Sequence, residues 1–139
     1  MSTSEPSPLP RHRPKSRLLV VDDENAMCEV LAAYFEHLGL EVKVARTAAA
    51  GNALIDEGKF DLAVLDWKLD GGADGLDLLS FSKSKHPQKP VIIFTGAEDN
   101  ESLLKNAVAG KAEAVVRKTG SLSALATQVF LRLGGFRRN

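Results

Sequence analysis

Short apolar runs alternate with helically spaced apolar residues along most of this chain. Continuous apolar runs lie within residues 18–21, 61–65, 91–94 and 114–117, and a shorter alternating apolar and polar run lies at residues 41–45. Apolar runs of four to eight residues bounded by polar residues are typical of strands covered on both faces. The pattern predicts five strands, with the alternating run as the weaker, edge strand.

Helical patterns separate these strands. The predicted helices cover residues 26–38, 48–57, 76–85, 99–109 and 122–133, with Thr47 and Ser121 as N-terminal caps and Gly39, Gly58 and Gly110 as stops. Strands that alternate with helices indicate βαβ units around a parallel sheet. We therefore predict an α/β fold, a doubly wound parallel sheet of five strands with five helices, with any site at the carboxyl ends of the strands.

Composition divides the 139 residues into a single domain and two short tails. Residues 1–15 hold four prolines among serines and basic residues and predict a disordered leader, residues 16–134 form the domain, and residues 135–139 form a basic tail. Lysine and arginine total 18 and aspartate and glutamate total 18, so bulk attraction to nucleic acid or an anionic membrane is not expected.

Two further features bear on location. The chain has no apolar run near 20 residues, which argues against a membrane span, and the N-terminus lacks the apolar stretch of a secretory signal. The single cysteine, Cys28, cannot form an internal disulfide and is expected to be a small buried residue. We expect a cytoplasmic protein.

Acidic, hydroxyl and ammonium groups follow the predicted strands. Asp22 and Asp23 end the first strand, Asp66 the third and Thr95 the fourth, and Lys118 follows the fifth. Carboxyl ends of parallel strands lie at one edge of a sheet, so these side chains are expected to meet in one crevice. Three carboxylates in one crevice repel each other unless a cation or protons are supplied, and hard oxygen ligands of this kind suit Mg²⁺.

Each residue also has a plainer interpretation when taken alone. Asp23 can be a helix cap, Asp66 can cap a turn, Thr95 is an ordinary strand residue, and Lys118 can be a solvated charge. The conjunction of all of them at strand ends favours a site.

The motifs LLVVDDE, DLAVLDWKLDGG, VIIFTG and VVRKTG together resemble the receiver domains of two-component response regulators, from about Arg17 to Leu133. The resemblance implies the strand order 2-1-3-4-5 and a phosphoryl-accepting switch. It implies that Asp66 is the nucleophile and that Thr95 and Lys118 hold the phosphoryl oxygens. It further implies that Asp22, Asp23, Asp66 and the backbone carbonyl of Lys68 bind Mg²⁺.

The same resemblance implies the partners. The phosphoryl donor is expected to be a sensor histidine kinase or phosphotransfer protein, and the output a changed surface for an unidentified protein target. No direct contact with nucleic acid or membrane is expected, and the chain is expected to be a monomer or weak homodimer. It would catalyse its own phosphorylation and dephosphorylation, and the initiating Met1 favours a stand-alone receiver.

The sequence departs from the family at several positions. Val115 stands where an aromatic residue is usual, and Thr119 replaces the proline that usually follows the lysine, which leaves the Lys118–Thr119 bond either cis or trans. A one-residue insertion is expected before Gly75. Trp67 is expected to be partly exposed at the mouth of the site. A calcium loop at residues 70–81 is a minor alternative, since Phe81 stands where its closing glutamate belongs.

Two other functions compete with the phosphoacceptor switch. One is a receiver-fold scaffold that binds a protein without being phosphorylated, which the intact acceptor set argues against. The other is a phosphohydrolase with an aspartate nucleophile, but that class places its nucleophile after the first strand in a DxD pattern, and here the two aspartates are adjacent.

Overall fold

A computed structural model describes residues 15–69, 75–96, 101–119 and 121–134. In these ranges the chain forms β1 (Arg17–Val21), α1 (Asn25–His37), β2 (Glu41–Ala45), α2 (Ala48–Glu57), β3 (Leu62–Leu65), α3 (Gly75–Lys85), β4 (Val91–Thr95), α4 (Glu101–Ala109), β5 (Ala114–Arg117) and α5 (Ser123–Arg132). The predicted leader except Lys15, the predicted tail, and most of the loop before α3 lie outside the described residues.

The five strands form one parallel sheet in the order β2-β1-β3-β4-β5. This confirms the predicted fold and strand order, and β2 lies at an edge as expected. The order reverses between β1 and β3, so the connections from these two strands leave toward opposite faces of the sheet. Such a reversal opens a crevice at the carboxyl ends of the strands.

The core has two layers, one on each face of the sheet. Ile55 of α2, Leu79 of α3 and Ala107 of α4 pack in one apolar cluster, which places these three helices on one face. Phe35 of α1 and Val129 of α5 belong to the other cluster, on the opposite face. Residues of β1, β3 and β4 contribute to both clusters because alternate side chains point to opposite faces. The central strands are therefore buried on both sides.

The helix ends follow the predicted chemistry in most places. The Thr47 hydroxyl accepts a hydrogen bond from the amide of Ala50 at 3.0 Å, and Gly39 and Gly58 have φ of 98° and 73°, the left-handed conformation that glycine adopts without a steric penalty. Among the described residues, no helix is long and apolar enough to cross a membrane.

The starts of α1 and α5 differ from the predicted ones by one residue. α1 begins at Asn25, one residue before the predicted start, and Glu24, not Asp23, precedes it without a capping hydrogen bond from its side chain. α5 begins at Ser123, one residue after the predicted start. Leu122 already has a helical conformation, and the Ser121 hydroxyl accepts a hydrogen bond from the amide of Ser123 at 3.3 Å, the bond expected of the predicted cap. One residue is the scale on which helix ends vary.

One buried side-chain polar group has no hydrogen-bond partner in the part of the chain that the structure describes. The Ser82 hydroxyl in α3 is fully buried and makes no hydrogen bond. An unsatisfied buried hydroxyl costs roughly 1 to 3 kcal/mol because it has lost its bonds to water.

We therefore expect Ser82→Ala to raise the free energy of unfolding by about 1 kcal/mol, measured by urea denaturation. Ser84→Ala is the matched control, because Ser84 lies exposed on the same helix and reports only the helix propensity of alanine. Equal stabilisation by the two substitutions would show that the buried hydroxyl carries no penalty.

Candidate functional site

Backbone hydrogen bonds place the ends of neighbouring strands side by side. The amide of Asp66 donates to the carbonyl of Val21 at 2.9 Å, which brings the end of β3 next to Asp22. The amide of Lys118 donates to the carbonyl of Thr95, also at 2.9 Å, which brings the end of β5 next to that of β4. The sheet itself therefore gathers residues that lie nearly one hundred positions apart in sequence.

Three carboxylates meet at this edge. Asp22, Asp23 and Asp66 each offer an oxygen within 4.8 Å of the others. Asp22 and Asp66 are buried, with 2% and 7% of their surface exposed, and Asp23 is half-buried. The Oδ1 atom of Asp22 accepts a hydrogen bond from the amide of Glu24 at 2.9 Å, which fixes the orientation of this carboxylate at the start of α1. The acidic cluster predicted from the sequence is therefore present.

Lys118 reaches into the same cluster. Its Nζ lies 2.7 Å from Oδ2 of Asp22 and 3.4 Å from Oδ2 of Asp66. The side chain is only 14% exposed, and its ammonium also lies 5.9 Å from the centre of the Phe94 ring. Lys118 is thus a buried ion-pair partner, and its interpretation as a solvated charge is wrong.

The two central charges have shifted pKa values. Burial raises the pKa of Asp66 to about 6, and the negative charge of Asp22 adds to this rise, while the Lys118 ammonium opposes it. Burial alone would lower the pKa of Lys118, but its hydrogen bond to Asp22 and the charge of Asp66 outweigh burial and raise it. One ammonium does not offset three carboxylates, so the site holds excess negative charge when Asp66 is ionised.

This donor set fits a hard divalent cation. In an octahedral Mg²⁺ site with bonds near 2.1 Å, ligand oxygens lie about 3 to 4 Å apart. A spacing of up to 4.8 Å is close to that range, so a small movement of the half-buried Asp23, or a water between it and the ion, would complete the contact. Asp22, Asp23 and Asp66 are the side chains that would hold the ion, and its charge would offset the excess negative charge.

The start of α3 lies directly against the acceptor strand. The Gly75 amide donates to the Trp67 carbonyl at 2.6 Å. A Cβ at Gly75 would overlap the Asp66 carbonyl oxygen, at a separation that real side chains essentially never show. Only glycine permits this approach, so Gly75 positions the backbone around Asp66.

Trp67 is buried, and the prediction that it lies partly exposed is wrong. It is 8% exposed and packs in the apolar cluster with Leu65 and Leu69. Alternate residues of an extended segment point to the same side, so positions 65, 67 and 69 continue one face of β3 past its last residue. That period-2 pattern was visible in the sequence and predicts the burial.

The remaining predicted residues fall at the same edge. Thr95 ends β4 and is 3% exposed, whereas the Lys68 side chain is exposed. Val115 is half-buried against the cluster that contains Trp67. The Lys118–Thr119 peptide bond is trans, since the described residues contain no cis bond.

Sequence reasoning missed Glu24. Its carboxylate Oε1 lies 3.9 Å from Nζ of Lys118, at the rim of the site. The signal was available as a third acidic residue directly after the Asp22-Asp23 pair. Cys28 behaves as expected: it is buried, and its thiol donates to the Asp22 carbonyl at 3.1 Å, while burial and the charge of Asp22 raise its pKa.

The chain is similar to parts of larger regulatory proteins. It is 33% identical over 79 residues to the photosynthetic apparatus regulatory protein RegA of Rhodobacter capsulatus, covering 57% of this chain and 42% of that one. It is 30% identical over 96 residues to the response regulator protein PilR of Pseudomonas aeruginosa, covering 69% of this chain and 21% of PilR. The chain thus spans less than half the length of these curated relatives.

Solved structures with the same architecture include a CheY-like receiver domain protein from Methanospirillum hungatei. The two share 29% identity with a TM-score of 0.81, over 87% of this chain and 95% of that one. The response regulator TrrA of Thermotoga maritima, solved in complex with Mg²⁺-BeF, is 26% identical with a TM-score of 0.76, over 84% of this chain and 98% of that one.

The family model for the response regulator receiver domain matches residues 18–130. That span runs from β1 into α5 and includes every residue of the acidic cluster, together with Thr95 and Lys118. The chain therefore belongs to the response regulator receiver domain family of two-component signalling.

Proposed function

We propose that this chain is a receiver that accepts a phosphoryl group on Asp66 from a phosphohistidine of a sensor histidine kinase or phosphotransfer protein. The reaction depends on Mg²⁺ held by Asp22, Asp23, Asp66 and the Lys68 carbonyl. The product changes the surface offered to a protein target in the cytoplasm. The observation that carries the proposal is the meeting of three carboxylates and one ammonium at a single crevice.

Phosphoryl transfer to Asp66 needs a crevice that supplies positive charge. A carboxylate and a phosphoryl group are both negative, so Asp66 can approach phosphorus only where the combined charge is neutralised. A Mg²⁺ ion held by Asp22, Asp23 and Asp66 would supply two of the positive charges. Lys118 supplies the third, and its contact with Asp66 places the ammonium where the phosphoryl oxygens would arrive.

The chain's own side chains then have separate roles. An Asp66 oxygen forms the new bond to phosphorus while the bond from phosphorus to the donor imidazole nitrogen breaks, and the imidazole keeps that electron pair. Lys118 and the hydroxyl of Thr95, at the ends of β5 and β4, hold the transferred oxygens. Water later attacks phosphorus, the bond from phosphorus to the Asp66 oxygen breaks, and inorganic phosphate leaves with the oxygen and protons of the water. Asp66 is then a free carboxylate again, and the switch is reset.

Three observations support these roles. Asp66 is buried but lies beside the half-buried Asp23, so the crevice opens toward solvent on the side where a donor would approach. The related protein TrrA was solved with Mg²⁺-BeF. Thr95 and Lys118 lie at the ends of β4 and β5, which flank α4, so a shift at either residue would reach the surface formed by α4 and β5.

The proposal predicts a chemically specific phosphate. Incubation with Mg²⁺ and a small acyl phosphate should label the protein with an acid-stable, base-labile phosphate, detected by intact mass. Asp66→Ala should abolish the label and removal of Mg²⁺ with a chelator should reduce it by at least tenfold. Asp77→Ala, at an exposed aspartate of α3, is the control and should be labelled like the parent. A parent protein that takes up no phosphate would favour the scaffold function instead.

The burial of Asp66 beside other carboxylates has a consequence for stability. The pKa of Asp66 in the fold is about 6, above its usual 3.8, so the folded state holds this proton more tightly than the unfolded state. Stability therefore falls as pH rises from about 4 to about 6, and the loss is complete above that range. Binding of a cation at the site would offset this loss of stability.

We therefore expect Asp66→Asn, which cannot ionise, to be more stable than the parent by about 1 to 2 kcal/mol at pH 7.5 in the presence of a chelator. The difference should disappear near pH 4, as measured by urea unfolding across pH. Asp56→Asn is the control of opposite sign, because the hydrogen bond from Lys85 lowers the pKa of Asp56. A parent that is at least as stable as Asp66→Asn at pH 7.5 would contradict the charge balance described above.

A further inference from the structure

Glu24 lies at the capping position of α1, but its side chain does not cap the helix. It is the N-cap residue of α1, with extended φ and ψ of −95° and 110°, yet its carboxylate makes no capping hydrogen bond. Serine, threonine, aspartate and asparagine are the residues that cap helices well. A residue that breaks a local rule without a local gain indicates another role for its side chain.

The Glu24 carboxylate instead faces Lys118. Oε1 of Glu24 lies 3.9 Å from the Lys118 Nζ, compared with 2.7 Å for Asp22 and 3.4 Å for Asp66. Among the described residues, Lys118 therefore has three carboxylate neighbours, of which the two closer ones are proposed metal ligands and the third is not. The Glu24 side chain is 60% exposed, whereas that of Asp22 is 2% exposed, so Glu24 can move without disturbing the core.

A cation at the acidic cluster changes this balance. Oxygen atoms of Asp22 and Asp66 cannot bind a divalent ion and keep Lys118 at its present distances without placing positive charges together. The Lys118 ammonium must then either move away from Asp22 and Asp66 or pair with another carboxylate. Glu24 is the nearest one outside the cluster among the described residues, and it is already within ion-pair distance.

We infer that Glu24 is a positioning residue. When the acidic cluster binds a divalent cation, the Lys118 ammonium moves away from Asp22 and pairs with the Glu24 carboxylate. Glu24 thereby lowers the competition between Lys118 and the ion for Asp22. This inference rests on the proposed metal site, but it assigns to Glu24 a task that the cluster alone does not require. Without Glu24, the ammonium stays on Asp22 and the cation binds more weakly.

The test measures Mg²⁺ affinity of the unphosphorylated protein by isothermal titration calorimetry. Glu24→Gln should raise the Mg²⁺ Kd about threefold, which is the size expected for a partly exposed ion pair. Glu29→Gln is the matched control: it removes one exposed carboxylate from the same helix and should change the Kd by less than about 1.5-fold. Equal effects of the two substitutions would overturn the inference.

A second background separates the ion pair from general charge. With Lys118→Met there is no ammonium to hold, so adding Glu24→Gln should then change the Kd no more than Glu29→Gln does. A threefold effect that persists without Lys118 would also overturn the inference, because Glu24 would then act directly on the ion. Should Lys118→Met fail to fold, the comparison of Glu24→Gln with Glu29→Gln decides alone.

These outcomes differ from failure of the proposed function. A parent protein that binds no Mg²⁺, or that takes up no phosphate at Asp66, would contradict the proposed function itself. A parent that binds Mg²⁺ and is phosphorylated, but is insensitive to Glu24→Gln, would contradict only the role of Glu24.

Discussion

The ion pairs of the Lys118 ammonium with Asp22 and Asp66 are the interaction on which the site depends. They join the ends of β1, β3 and β5, and they hold together carboxylates that would otherwise repel each other in a buried crevice. Burial keeps the pKa of Asp66 near 6 in spite of the ammonium. The metal-free protein therefore carries an electrostatic strain that a divalent cation or a proton relieves.

This strain connects the fold to the proposed chemistry. The parallel sheet places the carboxyl ends of strands that are far apart in sequence at one edge, where backbone groups and side chains converge. Gly75 lets α3 begin against the Asp66 carbonyl. Trp67, the residue after the acceptor, packs in the core. The acceptor is thus held on rigid elements, while Asp23 and Glu24 at the rim keep the exposure that an incoming ion or donor needs.

Much of the architecture was predictable because local patterns carry it. Apolar runs identified the strands, and Thr47, Gly39 and Gly58 marked helix ends through capping and positive φ. α5 begins one residue after the predicted start, although the Ser121 hydroxyl accepts a hydrogen bond from the amide of Ser123 as a capping residue does. The predicted exposure of Trp67, which followed the family resemblance, was wrong. The alternation at positions 65, 67 and 69 continues past the end of β3 and buries this side chain.

The sequence by itself determined the identity and order of the chemical groups: an acidic pair, an acceptor, a hydroxyl and a lysine after successive strands. Covalent order and side-chain period are local properties, so they can be read from the chain. Only the tertiary structure decided which carboxylates Lys118 contacts, how far burial raises the pKa of Asp66, and that Glu24 faces Lys118. Distances between residues 24, 66 and 118 depend on strand register and helix packing, and charge energies follow from those distances and from burial.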